Sequence, residues 1–355
     1  MRTFSLILLF AFVSIIFQPQ AGAAIDEKLL KEAKLHTAWQ SATALNPSEK
    51  VQRMTVLGDY IYILTDSNYL FCLNRNDGQP VFSISAAEKN LPVSEPADFN
   101  NTVYFIAANY LIAIDLQSGA EIDRKKLNFP VTEKPAINGS SFYFAGTDSF
   151  LHVTNKDMFE IFKVNPDDKS DISSVIANED SVIFSTVSGK VYSMDANQAV
   201  RHWRFDTVGK LEAPLTKTNG SIYVSGKDTN LYKLNAKDGE LVWKFYTGCF
   251  LDASARATET TVYQNAPNKG LYAIDANSGK QLWLLPDGVD LLAENGGTAY
   301  VFDKNRVCVV MDNAQAKKIY TINFATVTSF ATNPYDAKIY IMEGKNISCV
   351  EPIKR

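Results

Sequence analysis

The sequence repeats itself within its second half. Residues 218–246 (TNGSIYVSGKDTNLYKLNAKDGELVWKFY) are followed by a near copy at residues 259–285 (ETTVYQNAPNKGLYAIDANSGKQLWLL). A chain that repeats a short unit folds into an array, because each unit needs a neighbour to cover its apolar face. The repeat therefore limits the possible folds before any catalytic motif is considered.

Two markers follow the repeat along the chain at intervals of about 40 residues. The first is an apolar residue in the second predicted strand of each unit. The second is an aromatic residue four positions after the turn glycine or its equivalent, and Asp123 takes its place in the second unit. The first set is Tyr62, Tyr104, Tyr143, Ile183, Tyr223, Tyr263, Tyr300 and Tyr340, and the second is Phe82, Phe162, Trp203, Trp243, Trp283 and Tyr320.

Each unit consists of short alternating apolar runs, such as residues 222–224 and 231–234, separated by Gly, Asn and Asp turns. Such runs are typical of β-strands joined by tight turns. Repeats of about 40 to 45 residues with four short strands are the signature of propeller blades, which bury each other in a closed ring. The eight markers predict an all-β, eight-bladed β-propeller that forms one domain over residues 37–355.

The last unit lacks a fourth strand, because only one more strand, residues 347–350, fits after Tyr340. Residues 37–41 (TAWQS) precede the first full unit without a hairpin partner and carry Trp39. We predict that this N-terminal strand completes the eighth blade, which would remove an exposed sheet edge and join the two ends of the chain. Trp39 then joins the other blade aromatics, which we interpret as packing groups between blades, with stacking on a ligand as the alternative.

The N-terminus has the pattern of a secretory signal peptide, residues 1–23. An apolar run at residues 6–17 is followed by small residues, with cleavage expected near Ala23 or Ala24. This run is shorter than the roughly 20 residues of a membrane-spanning helix. We expect a soluble, monomeric, periplasmic or secreted protein with no membrane span after cleavage. Residues 24–36 form a leader, either a short amphipathic helix or a free segment.

Export would allow disulfides, and the chain has four cysteines: Cys72, Cys249, Cys308 and Cys349. Cys72 and Cys349 occupy the same position of the third strand in the first and last blades. Stacked sheets lie about 10 Å apart, which is too far for a disulfide. We therefore expect mostly buried free thiols. No cysteine precedes Cys72, so we expect no lipid anchor at the cleavage site.

Catalytic and cofactor motifs are lacking in the sequence. The histidines His36, His152 and His202 have no spacing typical of a metal site or a general base. There is no Cys-x-x-Cys-His sequence, no glycine-rich phosphate loop and no Gly-x-Ser-x-Gly motif. A net charge of −4 without a basic cluster disfavours nucleic acid as a partner. We predict no catalytic residue, no metal and no cofactor.

The units LYKLNAKDGELVWKF and LYAIDANSGKQLWLL resemble the pyrroloquinoline-quinone (PQQ) type propeller repeat, over nearly all of the predicted mature chain. That family includes quinone-dependent alcohol dehydrogenases and binding propellers without a cofactor, so the fold alone does not choose between them. The dehydrogenases have a longer chain and an adjacent cysteine pair against the quinone, and no two cysteines are adjacent here.

In organisation the chain is more similar to the BamB-like propeller subunits of the outer-membrane assembly machinery. Those exported, eight-bladed subunits close with an N-terminal Thr-Ala-Trp strand, and residues 37–39 are Thr-Ala-Trp. They are lipoproteins, whereas this sequence has no lipobox, and no loop matches their partner-binding residues. The resemblance implies a non-enzymatic scaffold.

A carboxylate precedes the predicted first strand in six successive blades. In a propeller these positions surround the mouth of the central channel, where an acidic ring would attract a cation or a basic segment of a partner. The alternative is that such loops are simply polar, and Lys134, Lys169, Lys210 and Arg256 are close enough in sequence to neutralise part of the ring. The six carboxylates are Glu95, Glu133, Asp171, Glu212, Asp252 and Asp290.

These observations predict an exported, non-enzymatic β-propeller that binds or scaffolds protein partners in the cell envelope. Two alternatives remain open at this point. One is a quinoprotein similar to the PQQ-dependent dehydrogenases. The other is a propeller that binds cell-wall glycans through exposed aromatic residues.

Overall fold

The computed structural model describes residues 25–46, 48–131, 133–218 and 220–353. The predicted signal peptide, residues 1–23, lies outside the described residues. The described part begins with a short helix, α1 (Glu27–Glu32), and a strand, β1 (Leu35–Ala42). All strands fall into eight four-stranded antiparallel sheets, so the predicted eight-bladed propeller is confirmed. Within this part of the chain, no helix is long and apolar enough to cross a membrane.

In the first seven blades, the four strands follow one another along the chain and pair in that order. Blade one comprises β2 (Val51–Leu57), β3 (Tyr60–Thr65), β4 (Tyr69–Asn74) and β5 (Pro80–Ser85). Blade two comprises β6 (Ala97–Phe99), β7 (Thr102–Ala107), β8 (Tyr110–Asp115) and β9 (Glu121–Lys126). Blade three comprises β10 (Ala136–Ile137), β11 (Ser141–Ala145), β12 (Leu151–Asn155) and β13 (Glu160–Val164). Blade four comprises β14 (Ile172–Ala177), β15 (Ser181–Thr186), β16 (Lys190–Asp195) and β17 (Arg201–Asp206).

Blades five to seven repeat this order, and the last blade differs because its fourth strand comes from the N-terminal end of the chain. Blade five comprises β18 (Thr216–Thr218), β19 (Ser221–Ser225), β20 (Asn230–Asn235) and β21 (Leu241–Tyr246). Blade six comprises β22 (Arg256–Ala257), β23 (Thr261–Ala266), β24 (Gly270–Asp275) and β25 (Gln281–Leu285). Blade seven comprises β26 (Gly288–Asn295), β27 (Thr298–Asp303), β28 (Val307–Asp312) and β29 (Lys317–Asn323). Blade eight comprises β30 (Ser329–Ala331), β31 (Ile339–Glu343), β32 (Asn346–Pro352) and β1.

Aromatic residues of the outer strands join most blades to the next. Trp203 of β17 packs with Ile222 and Leu234 of blade five, and its Nε1 donates a hydrogen bond of 3.2 Å to the Ala236 carbonyl. A Cβ atom on Gly239 would lie only 2.5 Å from this indole, so the ring rests against bare backbone. The same contact joins Trp39 to Gly78, Phe82 to Gly119, and Trp243 to Gly279.

The N-terminal strand has the geometry of a fourth strand. Trp39 of β1 pairs with Cys349 of β32, as Trp243 of β21 pairs with Lys233 of β20. A β-bulge lies beside the aromatic position in both pairs, and in β1 it falls between Thr37 and Trp39. A bulge bends and twists the strand and so aims the neighbouring side chain. The predicted closure of the ring is confirmed, with a strand longer than residues 37–41.

The leader packs against the last two blades. The Asp26 side chain caps α1 by accepting a hydrogen bond of 2.8 Å from the Lys28 backbone N–H. On the opposite face of the helix, Leu30 is fully buried in a cluster with Phe324 and Ile339 of the last two blades. Of the two alternatives for the leader, the structure has the short helix.

All four cysteines are free thiols in the structure. Three of them, Cys72, Cys308 and Cys349, are buried, and Cys249 is half-buried. Burial raises the pKa of both Cys72 and Cys349 to about 12. These thiols therefore stay protonated near neutral pH and are poor nucleophiles. The arrangement agrees with the expectation of mostly buried free thiols.

The contact between Trp203 and Gly239 predicts a large effect for a single added methyl group. We expect Gly239→Ala to lower the free energy of unfolding by about 2–4 kcal/mol, because the Cβ meets the indole and a positive φ disfavours alanine. Gly220→Ala is the matched control, since Gly220 has a similar φ of +71° but no atom within 4 Å of an added Cβ. It should lose only about 1–2 kcal/mol. Urea unfolding measures both, and equal losses would rule out the indole contact.

Closure by β1 predicts that Trp39 stabilises the whole ring. Trp39 is half-buried, so we expect Trp39→Ala to lower the free energy of unfolding by about 2–3 kcal/mol, less than for a fully buried aromatic residue. Trp39→Phe keeps a ring, as Phe82 does in β5, and loses the 3.1 Å hydrogen bond from Nε1 to the Arg75 carbonyl. That variant should lose about 1 kcal/mol. Thermal melting of the three proteins decides the matter, and an alanine variant that melts like the wild type would refute the role of β1.

Candidate functional site

A cavity of about 1360 Å³ lies at the centre of the ring, between the innermost strands. Its wall includes residues of β2, β18, β22 and β30. Glu95 before blade two, Lys134 before blade three and Asp290 of β26 also line it. Among the described residues, its lining has more cationic than anionic side chains, unlike the acidic channel mouth expected from the sequence. The cations are Arg53, Lys134, Lys217, Lys233 and Arg256, and the carboxylates are Glu95, Glu259 and Asp290.

Glu95 lies between two cations from neighbouring blades. Its carboxylate is 3.3 Å from Arg53 Nε and accepts a hydrogen bond of 2.9 Å from Lys134 Nζ. Burial opposes ionisation of Glu95, but Lys134 and Arg53 outweigh it and hold the pKa of this carboxyl below its usual value. Glu95 therefore acts as an ionic link between blades one, two and three rather than as a free negative charge.

Asp290 forms a second link across the cavity wall. Arg256 contacts it with two nitrogens, at 3.1 and 2.8 Å, and the Thr332 hydroxyl donates to it at 3.3 Å. Burial disfavours the charged guanidinium, but the hydrogen bonds to Asp290 prevail and the pKa of Arg256 rises. Asp290 is the third residue of β26 and not a residue that precedes the strand.

The other four predicted carboxylates are exposed and are not among the residues that line the cavity. Lys227, in the turn between β19 and β20, forms ion pairs with both Glu212, at 3.2 Å, and Asp252. Asp171 accepts a hydrogen bond of 2.5 Å from the Ser149 hydroxyl. Glu133 is exposed beside Lys134. Of the six carboxylates, Glu95 and Asp290 line the central cavity and the other four do not.

Sequence reasoning identified two of the four cations that pair with these carboxylates. Lys134 and Arg256 were expected, whereas Arg53 and Lys227 were missed. Arg53 lies within a first strand, and Lys227 lies in a turn between the second and third strands, where no marker of the repeat falls. Their only signal in the sequence is a positive charge, which does not indicate a partner in a neighbouring blade.

The histidines His152 and His202 have different surroundings. His152 is buried, stacks on the Phe129 ring at 3.9 Å, and lies 3.0 Å from Asp148. His202 is 3.9 Å from Asp195 on an outer strand. Over the described ranges of the chain, no group of three or more His, Cys, Asp or Glu side chains could hold a metal ion.

Two loops on one face of the ring expose large apolar side chains. Val208, before blade five, is 95% exposed, and Phe250, before blade six, is 65% exposed. The Val208 N–H donates to Asp228 Oδ2 at 3.3 Å, and the Leu251 N–H donates to the Gly226 carbonyl at 3.3 Å. Both loops therefore pack on the same turn of blade five, residues 226–229, and hold Val208 and Phe250 on either side of it. We call Val208 and Phe250 the loop-face pair.

Comparison with known proteins identifies the type of repeat. The family model described as outer membrane protein assembly factor BamB matches residues 163–326. The crystal structure of BamB from Moraxella catarrhalis is similar, with a TM-score of 0.68 and 12% identity over 89% of this chain and 97% of that chain. The computationally designed Ika8 protein is similar too, with a TM-score of 0.67 and 10% identity over 89% of this chain and 99% of that chain. No curated protein sequence matches the chain.

The fold and the repeat together define the class of protein: an eight-bladed β-propeller built from consecutive four-stranded units. Over residues 163–326 the chain matches the BamB family model, in agreement with the resemblance to the PQQ-type repeat found in the sequence. At these identities the solved structures establish the fold alone, and one of them is a designed protein.

The ion pairs of Glu95 predict a loss of stability in acid. A carboxyl group whose pKa is lowered in the folded protein stabilises the fold above its unfolded pKa and loses that contribution as the pH falls through the folded pKa. The wild type should be more stable than Glu95→Gln at pH 7, and the difference should shrink as the pH falls below 4.5, the usual pKa of a glutamate. Urea unfolding at pH 7 and at about pH 3 tests this. Glu133→Gln is the matched control, and a pH-independent difference for Glu95→Gln would point to packing instead of charge.

Proposed function

We propose that this chain is a non-enzymatic propeller that binds a protein partner in the cell envelope through the loop-face pair. The observation that carries the proposal is the exposure of Val208 and Phe250 on two neighbouring loops that share one supporting turn. Exposed apolar side chains set among charged groups are typical of protein contact sites. An aromatic residue at the centre of such a site often contributes a large share of the binding energy.

The charged side chains beside the loop-face pair would help to select its partner. Glu212 and Asp252 lead into the same two blades as Val208 and Phe250, and they share a single cation, Lys227. Asp228 adds a third carboxylate, and Lys210 and Lys269 lie beside the same two loops, so charges of both signs surround the apolar pair. Such charges guide association and select partners more than they add affinity. Together with Glu133 and Asp171, Glu212 and Asp252 are the part of the predicted rim that we propose for binding.

The comparisons support a scaffold in the cell envelope. The matching family model and one similar structure are named for an outer membrane protein assembly factor, and we propose a related role for this chain. Export through the predicted signal peptide, residues 1–23, would bring it to the periplasm or the exterior without a lipid anchor. We propose that it acts there as a monomeric propeller, without a cofactor and without nucleic acid.

Removing the loop-face pair should abolish capture of the partner. We expect the double variant Val208→Ser/Phe250→Ser to recover at least about tenfold less partner than the wild type when cross-linked in the intact envelope, since central contact residues contribute more than 1–2 kcal/mol each. Mass spectrometry identifies and quantifies the partner. The matched control is Val242→Ser/Ile319→Ser, which removes two apolar side chains exposed on outer strands.

Three further results bear on the proposal. Unchanged capture by the Val208→Ser/Phe250→Ser variant would overturn it. Charge reversal of Glu133, Glu212 and Asp252 together should weaken capture, and capture that is undiminished would remove the rim from the site. Adding PQQ with Ca²⁺ should leave the melting temperature unchanged, whereas a rise accompanied by dye reduction with alcohols would establish a quinoprotein instead.

A further inference from the structure

One of the eight positions for an outer-strand aromatic is held by an acid. Asp123 pairs with Ala113 at the register that Trp243 has with Lys233 in blade five. Its carboxylate turns back to its own strand, where it accepts a hydrogen bond of 2.8 Å from the Arg124 backbone N–H and pairs with Lys125 at 3.2 Å. No ring fills this position, and a cavity of about 330 Å³ lies between blades two and three. We call this cavity the Asp123 cleft.

The wall of the Asp123 cleft contains a tyrosine that is covered by tryptophan in other blades. Tyr223 lies 5.9 Å from Trp243 between ring centroids, and Tyr263 lies 5.9 Å from Trp283. Both of these tyrosines are almost fully buried, whereas the equivalent Tyr104 in the cleft is only half-buried. Tyr104 therefore offers the surface that elsewhere contacts an indole, and Phe99 and Phe142 complete an aromatic wall.

Lys156 supplies the positive charge of the cleft. It follows β12 at the position where blades five and six have Ala236 and Ala276. Its Nζ lies 4.2 Å from the Phe142 ring centroid and 4.8 Å from that of Phe99, and it donates to the Ser141 carbonyl at 3.3 Å. Within the described part of the chain, these contacts include no ion pair. Burial lowers the pKa of Lys156 to about 8, and the more distant Glu179 partly opposes this.

Two further details adapt the cleft to the missing ring. In other blades the indole N–H donates to a backbone carbonyl, as Trp203 does to Ala236 at 3.2 Å. Here the Lys125 ammonium donates to the Lys156 carbonyl at 2.8 Å and keeps that carbonyl satisfied. Met158, with a φ of +69°, takes the turn position that is Gly239 in blade five, Gly279 in blade six and Ala316 in blade seven. A long side chain is tolerated there because blade two presents no ring.

We propose that the Asp123 cleft is a docking site for an aromatic side chain of a partner protein that carries acidic residues beside that side chain. The repeat builds an indole-sized site in this place, and the chain's own ring is absent from it. The unpaired ammonium of Lys156 favours a carboxylate next to the incoming ring, since charge complementarity selects partners. Phe159, 71% exposed at the end of the same turn, adds an apolar contact at the rim. The cavity volume is at the lower end of the range of about 300–1,000 Å³ that is usual for ligand sites.

This site does not rest on the proposed function of the loop-face pair. It lies between blades two and three, whereas Val208 and Phe250 precede blades five and six. A propeller with two separate contact surfaces can hold two partners together. The variants below leave the loop-face pair unchanged, so either proposal can fail without the other.

The decisive variant restores the repeat in blade two. Asp123→Trp/Lys156→Ala/Met158→Gly gives the cleft the residues found at Trp203, Ala236 and Gly239. It should fold with the same β-sheet circular dichroism and melt at a higher temperature, because its own ring fills the cavity. The probes are three acetylated, amidated pentapeptides: Gly-Glu-Trp-Glu-Gly, Gly-Lys-Trp-Lys-Gly and Gly-Glu-Leu-Glu-Gly. Saturation-transfer NMR measures their binding to the full chain.

We expect saturable binding of Gly-Glu-Trp-Glu-Gly to the wild type, with the strongest saturation on the indole protons, and at least about tenfold weaker binding to the restored variant. The leucine peptide and the lysine peptide should bind more weakly than the first peptide. Lys156→Gln should remove the preference for glutamate over lysine and leave the preference for tryptophan over leucine. No binding by the wild type, equal binding by the restored variant, or equal binding of the leucine peptide would overturn the proposal.

Discussion

The propeller depends on one repeated contact, that of an outer-strand ring with the bare backbone of the next blade's turn. A four-stranded sheet exposes two apolar faces and cannot bury both of them alone. A bulge in β17 directs the indole of Trp203 toward blade five, where Gly239 has no side chain to obstruct the ring. The same contact from Trp39 to Gly78 joins the last blade to the first. In the last blade, pairing of β1 with β32 covers the edge that β32 would otherwise leave open, which is the hazard of open sheets.

The fold could be predicted from the sequence because its determinants are local and repeated. Alternating apolar residues identify the strands, and Trp39 stands in a strand that has no partner nearby in the chain. The bounds of the inner strands were less predictable. β10 (Ala136–Ile137) and β22 (Arg256–Ala257) have two residues each, too few to show an alternating pattern. β26 has eight residues, and for that reason Asp290 falls inside it.

Only part of the chemistry of the channel rim could be predicted from the sequence. The carboxylates recur with the repeat, so their positions could be found, but their partners do not. Arg53 and Lys134 approach Glu95 from the blades on either side, and a short turn brings Lys227 to Asp252. Each pair depends on how neighbouring blades stand in the ring, which no pattern within one unit records. At Glu95 and Arg256 burial opposes the charged form, and the attraction between the partners offsets this cost, so these pairs link neighbouring blades.

Asp123 is the one departure from the aromatic series, and it is accompanied by other unusual residues at the same junction between blades. If a ring had simply been lost at Asp123, its place would be a void, and voids in packed interiors destabilise a protein in proportion to their volume. Instead, Lys156 stands where blades five and six have alanine, Met158 stands where they have glycine, and Lys125 takes over the hydrogen bond of the indole. These side chains come from two blades and meet only in the folded ring. Together they keep the cleft open, aromatic on its wall and cationic within, whereas collapse around a void would favour small apolar residues. A surface of this kind is better suited to receiving a ring from outside than to packing against its own chain.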